Sequence, residues 1–499
     1  MSVTVSRDLP ISDAARAHIR QTVGNVIDGT VGGAESGRTM PVYHPPTGQQ
    51  IAEAADSSPA DVDRAVAAAR AAFDDGRWRL LPPFEKERRM RRLSELITAH
   101  ADLLADLDVL DNGMPRSRAR YHMNMCAELA MYYAGWPSRL DGVVHPSPGG
   151  LMAYSIREPV GVAAAIIPWN GPTAAALWKL GPALATGNSV ILKPAEQTPL
   201  SAVRLAQICL EAGIPDGVVN VVQGAGETVG AALVEHPGVD KVAFTGSTQT
   251  GRIVQAAAAR RLKRVTLELG GKAANIVYAD ADLDAAARGV VAGAWASSGQ
   301  VCMAGSRLVV ERSISGELVE RVTALTRPLK LGSGFDADTD LGPLVSAEQL
   351  SRVSGYISAG REEGASVVLG GEPVGGDGYF VSPTIFTGVR NDMTIAQEEI
   401  FGPVLAVIGF DSEAEALSIA NDTEYGLTAG VWTSDMGKAQ RAIAGIRTGL
   451  VWVNTYAEVL SNVPYGGMKQ SGFGRELGEA ALDVYTETKS VVMRYGPPG

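Results

Sequence analysis

The sequence predicts an α/β protein built on doubly wound parallel sheets, and three observations predict it. Short apolar runs alternate with amphipathic helical stretches along most of the 499 residues, the pattern of a parallel sheet covered by helices. Glycine is abundant, at 57 residues, which suits many tight turns and backbone-lined sites. The chain also exceeds one ordinary core: domains hold ~100–200 residues, so two or three units are expected.

Each element has its own local signal. Ser58-Pro59-Ala60-Asp61 is a helix start, with a capping serine, proline in the first turn and an acid at the third position. Val62, Ala65, Val66, Ala69 and Phe73 then share one helical face. Further helices begin near Glu85 and near Ala101. The basic run from Lys86 to Arg92 is interleaved with apolar residues at helical spacing and reads as a solvated helix face. From Gly161 the alternation sharpens into strand 161–167, helix 172–186, strand 189–193, helix 200–212, strand 218–222, strand 239–244 and a helix from Arg252. A second unit is expected from near Val265 to about Arg475. Residues 153–159 and 488–495 read as further strands, and Pro497-Pro498-Gly499 as a frayed end.

Charge and cysteine usage exclude several classes. Lys+Arg 44 against Asp+Glu 55 leaves −11, a poor balance for nucleic acid, whose phosphates need clustered cations. Three cysteines in so long a chain suggest a reducing compartment. Met1 to Arg20 holds Asp8, Pro10 and Asp13 and no apolar core of a secretory signal. The most apolar stretch, from Val160 to Pro168, is far short of the ~20 residues that span a bilayer. The expectation is a cytoplasmic protein that binds neither nucleic acid nor membrane. The six histidines never fall at H-x-x-x-H spacing and no Cys-x-x-Cys occurs, so no metal site is expected.

Five segments carry chemistry. In Gly299-Gln300-Val301-Cys302-Met303-Ala304-Gly305 a cysteine sits among small residues, where its sulfur can be approached. A thiol needs a base, cation or helix end to become a nucleophilic thiolate. Cys126 and Cys209 lie in apolar helical surroundings and read as structural. In Leu267-Glu268-Leu269-Gly270-Gly271-Lys272 a glutamate stands between two leucines. Buried, it has the raised pKa of a general base; on an edge strand it simply faces water. Asn170, in Pro168-Trp169-Asn170-Gly171-Pro172, can aim an amide N–H at an oxyanion or cap a helix. Lys193-Pro194-Ala195-Glu196 ends a strand, where open α/β sheets bind ligands. Phe244-Thr245-Gly246-Ser247 leads into a helix whose first N–H groups suit a pyrophosphate. The fingerprint G-x-G-x-x-G is absent there, and the run from Gly224 to Gly230 has one residue too many. Neither a G-x-S-x-G elbow nor a P-loop occurs.

Together these motifs resemble the aldehyde dehydrogenase superfamily, from about Ile27 to Arg494, joined by Glu398-Glu399-Ile400-Phe401-Gly402-Pro403-Val404 and Pro464-Tyr465-Gly466-Gly467-Met468-Lys469-Gln470-Ser471-Gly472. Two departures are visible: Trp295 and Gly171 stand where relatives commonly carry Phe. The resemblance implies an NAD-binding domain over 1–140 and 160–268, a catalytic domain over 269–480, and an oligomerisation arm joining 141–159 to 485–496. It implies Cys302 as nucleophile, Glu268 as base, Asn170 with the Cys302 N–H as oxyanion hole, and Lys179 beside them. It assigns to NAD the residues Ile167, Pro168, Trp169, Lys193, Ala195, Glu196, Gly226, Phe244, Thr245, Gly246, Ser247, Thr250, Leu269, Gly270, Glu399 and Phe401. Glu196 beside the adenine ribose favours NAD over NADP, while Lys193 pulls the other way. The expected substrate tunnel holds Gly171, Ala175, Trp178, Val301, Met303, Val459, Leu460 and Tyr465. Small residues at 171 and 175 imply bulky apolar or aromatic aldehydes, and no arginine is evident on these walls to receive a remote carboxylate. Exposed strand edges in the arm imply a homodimer or homotetramer. The competing readings are a semialdehyde dehydrogenase, a CoA-acylating enzyme, whose relatives generally lack the glutamate at 268, and a non-catalytic structural protein on the same scaffold.

Overall fold

The computed structural model describes residues 9–372 and 374–496; Pro497-Pro498-Gly499 lies outside them. Helix Pro59–Asp74 begins as its sequence dictates: the Ser58 N–H donates to the Asp61 carboxylate at 2.9 Å, and Val62, Ala65, Val66 and Ala69 are buried on one face. Helix Pro83–Ala99 exposes Arg88, Arg91 and Arg92 and buries Met90 and Leu93, so its basic run is a solvated face.

Eight strands form the first sheet, in the order Gly472–Phe473, Arg264–Glu268, Lys241–Thr245, Val162–Ile166, Ser189–Lys193, Val219–Val221, Asn25–Ile27 and Thr30–Gly32. The five from Arg264–Glu268 to Val219–Val221 are parallel. From Val162–Ile166 the chain steps outward twice, then returns to lay Lys241–Thr245 on the other side. That reversal is a topological switch point, where the carboxyl ends of strands leave a crevice for ligands.

A seven-stranded second sheet runs Ser366–Leu369, Thr384–Thr387, Val404–Phe410, Arg307–Glu311, Ala274–Val277, Thr428–Trp432 and Leu450–Val453. All but the first are parallel to their neighbours. Strands Thr486–Arg494, Leu151–Pro159 and Val143–His145 form a separate antiparallel arm.

Three expectations are corrected. Strand Arg264–Glu268, which the alternation alone placed at the opening of the second unit while the resemblance kept 160–268 in the first, belongs to the first sheet: Leu267 pairs with Phe244 and joins its core, and the chain crosses only after Gly270-Gly271. Gly472–Phe473, expected in the second unit, pairs with the same strand. The helix expected from Arg252 begins at Thr248, because Ser247 caps it by accepting from the Thr250 N–H at 3.1 Å. Among the described residues no helix is long and apolar enough to cross a membrane, and no metal-ligating cluster occurs.

Candidate active site

The two sheets face each other with opposite ends. The first contributes residues just past the ends of its strands: Pro168, Trp169 and Asn170 after Val162–Ile166, and Gly246 and Ser247 after Lys241–Thr245. The second contributes residues just ahead of its strands: Gly270 before Ala274–Val277, Cys302 before Arg307–Glu311, Glu399 and Phe401 before Val404–Phe410, and Tyr425 before Thr428–Trp432. Between them lies a cleft lined also by Thr245, Glu268 and Leu269. Trp169 and Phe401 meet across it edge to face, ring centres 5.2 Å apart.

Cys302 sits on a tightly wound segment. Ser297, Ser298 and Gly299 are consecutively left-handed, with φ of 48°, 56° and 73°. Such backbone persists only where its surroundings over-determine it. Here the Ser298 hydroxyl donates to the Gly342 carbonyl at 2.6 Å, the Gln300 amide donates to the Pro343 carbonyl at 3.2 Å, and the Val345 N–H donates to Gln300 Oε1 at 3.0 Å. Asn170 Nδ2 donates to the Gln300 carbonyl at 2.9 Å, which leaves its second N–H for another acceptor. Gly271 is required beside this segment, since a Cβ there would lie 2.3 Å from the Cys302 carbonyl oxygen. The Cys302 sulfur lies 3.4 Å from the Tyr465 hydroxyl, and the Tyr465 ring stands edge-on to Trp178. Burial pushes the thiol pKa up to about 12, opposed by the Tyr465 hydrogen bond and reinforced by Glu399 and Glu268.

Glu268 is buried at the end of its strand, and its Oε1 has no partner among the described residues. Burial first, and then the charge of Glu476, raise its pKa well above the carboxylate range, against Lys179 and Arg475. Gly466 leaves it room: a Cβ there would lie 2.7 Å from Oε1. Lys179, fully buried, donates to the Thr245 hydroxyl at 2.7 Å and is ion-paired with Glu476. Glu399 accepts from the Gly271 N–H at 2.9 Å, and burial lifts its pKa to about 7.

Not every expected contact residue lines this cleft. Glu196, with Ala225, lines a neighbouring pocket, and Lys193 donates to it at 3.0 Å. Burial opposes its charge, yet Lys193 and nearby backbone N–H groups, that of Gly226 included, hold its pKa low. Ile167 and Phe244 are core residues, and Ala195 is buried. Thr250 supplies its N–H to the Ser247 cap and so belongs to the helix start. Of the tunnel set, Val459, Leu460 and Tyr465 line a third pocket. Along helix Pro172–Ala185 only Ala175 and Trp178 are partly open, and with the capping Gly171 they mark one face. Val301 is half-buried beside Cys302, and Met303 packs against cores on both sides of it. Trp295 is core, its indole N–H donating to the Thr326 hydroxyl at 3.0 Å.

Sequence reasoning missed Gln300 as the loop's clamp, Glu476 as the partner of Lys179, and Asn112, whose amide donates to the Trp169 carbonyl at 2.9 Å. It also missed His122, which faces Gly171 from helix Arg116–Ala134. Gln300 stood inside a quoted motif; the others had no local signal, because each meets its partner through the fold.

Residues 33–491 match the aldehyde dehydrogenase family. The mitochondrial aldehyde dehydrogenase of Homo sapiens is 46% identical over 464 residues, covering 92% of this chain and 90% of that protein. The NAD+ complex of an aldehyde dehydrogenase from Bacillus cereus superposes with a TM-score of 0.96 at 44% identity, covering 98% of this chain and 100% of the other. An indole-3-acetaldehyde dehydrogenase in complex with NAD+ gives a TM-score of 0.94 at 44% identity, over the same shares of the two chains.

Proposed function

The chain belongs to the aldehyde dehydrogenase family and oxidises aldehydes with NAD; from that premise we propose that Cys302 is its nucleophile, Glu268 its base, and a bulky apolar or aromatic aldehyde its substrate, released as the carboxylate. The observation that carries this reading is the convergence of Cys302, Glu268 and Asn170 on one cleft from two different sheets.

The donor set suits a dinucleotide. The start of helix Thr248–Ala259 offers free N–H groups to a pyrophosphate, Glu399 offers a carboxylate to one ribose, and Lys193 and Glu196 offer a cation and an acceptor to the other. NAD, when bound, supplies the two-electron oxidation of the carbon held on Cys302. The rest falls to the chain. The Cys302 sulfur adds to the aldehyde carbon, its proton passing to Glu268 and from there to solvent. The free Asn170 amide N–H and the Cys302 backbone N–H receive the oxygen's developing charge; one such donor contributes about 3 kcal/mol to lowering a barrier. Oxidation leaves a thioester on Cys302. Glu268 takes a proton from water, the oxygen adds to the thioester carbon, the C–S bond breaks to leave the Cys302 thiolate, and the carboxylic acid released gives its remaining proton to solvent as it becomes the carboxylate. Lys179, paired with Glu476, acts on Glu268 through charge.

The bulky-substrate reading is supported by the open face at Gly171, Ala175 and Trp178, and by a similar structure whose enzyme acts on indole-3-acetaldehyde. The test is NADH absorbance with benzaldehyde or hexanal against acetaldehyde, with and without CoA. The expected result is higher kcat/KM for the larger aldehydes and no CoA requirement. Turnover only with CoA would replace hydrolysis by thiol transfer.

A further inference from the structure

The N-terminal end of helix Pro172–Ala185, at Gly171, lies against helix Arg116–Ala134. A Cβ on Gly171 would find its nearest neighbours at 4.0 Å, the Ala174 methyl and Cε1 of His122. His122, with Ala174, therefore borders the space a larger residue at 171 would occupy. It is only 7% exposed, and its Nδ1 is enclosed without a partner.

One turn earlier on the same face stands Arg118. Its flanking arginines are neutralised: Arg116 pairs with Asp106 at 2.7 Å, and Arg120 pairs with Asp102. Among the described residues Arg118 has no carboxylate. Its Nε is enclosed and unpartnered, and its guanidinium lies 5.2 Å from the centre of the Tyr121 ring. Burial lowers the pKa of Arg118, which stays charged, and burial with that neighbouring charge keeps His122 neutral. A half-buried cation beside a neutral imidazole with an idle ring nitrogen is an electrostatic cost unless something anionic completes it.

We propose that Arg118 and His122 form a recognition pair for a carboxylate carried by the substrate at the end remote from its aldehyde. The proposal rests on the bulky-aldehyde reading and narrows it to a rigid or aromatic aldehyde acid. It reverses the expectation that a remote carboxylate finds no arginine, which considered only helix Pro172–Ala185 and the segment around Val459. An aldehyde held at Cys302 and Asn170 extends along Gly171 and Ala175, and its far end meets helix Arg116–Ala134. Arg118 supplies charge-assisted N–H donors and the His122 ring a neutral one, a combination that favours carboxylate over a hydroxyl or a methyl group.

The experiment compares kcat/KM for 4-carboxybenzaldehyde, benzaldehyde and acetaldehyde in the full-length enzyme and in Arg118→Met, Arg118→Lys and His122→Gln. A charge-assisted pair predicts a ratio of carboxylated to plain benzaldehyde of ~10 or more in the unaltered enzyme. Arg118→Met should bring that ratio to one or below, chiefly through KM; Arg118→Lys should recover part of it, and His122→Gln should reduce it a few fold. A ratio at or below one in the unaltered enzyme, or one unchanged by Arg118→Met, overturns the recognition pair. If benzaldehyde beats acetaldehyde in that case, the wide channel stands and only the carboxylate site falls. If neither aromatic aldehyde beats acetaldehyde, both readings fall.

Discussion

The two groups proposed for the chemistry are held in their less reactive forms. Burial pushes the Cys302 thiol up to about 12 and holds Glu268 well above the usual carboxylate range. Both must lose a proton to act, and both shifts are upward, so the reactive fraction grows as pH rises. The expected log kcat/KM for benzaldehyde, which reads the ionisation of the thiol up to thioester formation, climbs from pH 6 to 9 with a slope near +1; a flat profile in the unaltered enzyme would contradict this. Glu399 adds a separate limb. With its pKa lifted to about 7, it is an anionic acceptor for a ribose only above that value. KM for NAD should therefore rise as pH falls below about 7, and Glu399→Gln should remove that dependence. Glu196 bears on cofactor choice. A 2′-phosphate ~4 Å from a carboxylate costs roughly 1–4 kcal/mol, and the 41% exposure of the Glu196 side chain puts it at the low end. NAD should be preferred about fivefold on this account, read as a kcat/KM ratio, and Glu196→Gln should narrow the gap.

Helix Pro172–Ala185 shows what an element adds. Its sequence marks every position but Lys179 as apolar or small, and packing decides that only Ala175 and Trp178 stay partly open. Ala175→Phe should lower kcat/KM for benzaldehyde about tenfold or more while sparing acetaldehyde; no loss with the bulky substrate would close the wide-channel reading. The segment before Cys302 is the other sensitive element. Gly299 has φ of 73°, and a Cβ there would lie 2.2 Å from the Gly402 carbonyl oxygen. Gly299→Ala should cost ~1–3 kcal/mol of local strain, read as a lower melting temperature, and displace Cys302 enough to cut kcat. Strand and helix identities were largely legible: Ser189–Lys193 falls where its apolar run ends, and Ser58 caps the helix its Pro-Ala-Asp announces. The start at Thr248 was not, because several small residues in succession can each begin a helix and only the Ser247 contact selects one.

At the scale of the molecule, the cleft exists because one sheet presents strand ends and the other strand beginnings to the same gap. The arm is the other global feature. It leaves Val144 71% and Val492 70% exposed, with Val143, Met493 and Tyr495 also open to solvent. Apolar, unpaired edges of this kind call for a partner, and the proposed assembly is a homodimer or a dimer of dimers. Light scattering on the eluted protein should give that mass, and Val144→Asp with Val492→Asp should shift it toward the monomer. A monomer at micromolar concentration before any substitution would count against the arm as an interface.

Local patterns by themselves determined the α/β class, most strands, the cap at Ser58 and the chemical candidates Cys302, Glu268 and Asn170. Apolar periodicity, capping residues and an isolated carboxylate in an apolar run are properties of neighbours along the chain. Tertiary structure decided the rest. Whether Glu268 faced water or lay buried, which sheet owned Arg264–Glu268, and that Lys179 meets Glu476 all depend on contacts between segments far apart in sequence. The same holds for Arg118 and His122: helical spacing puts them on one face, but only the fold brings His122 against Gly171.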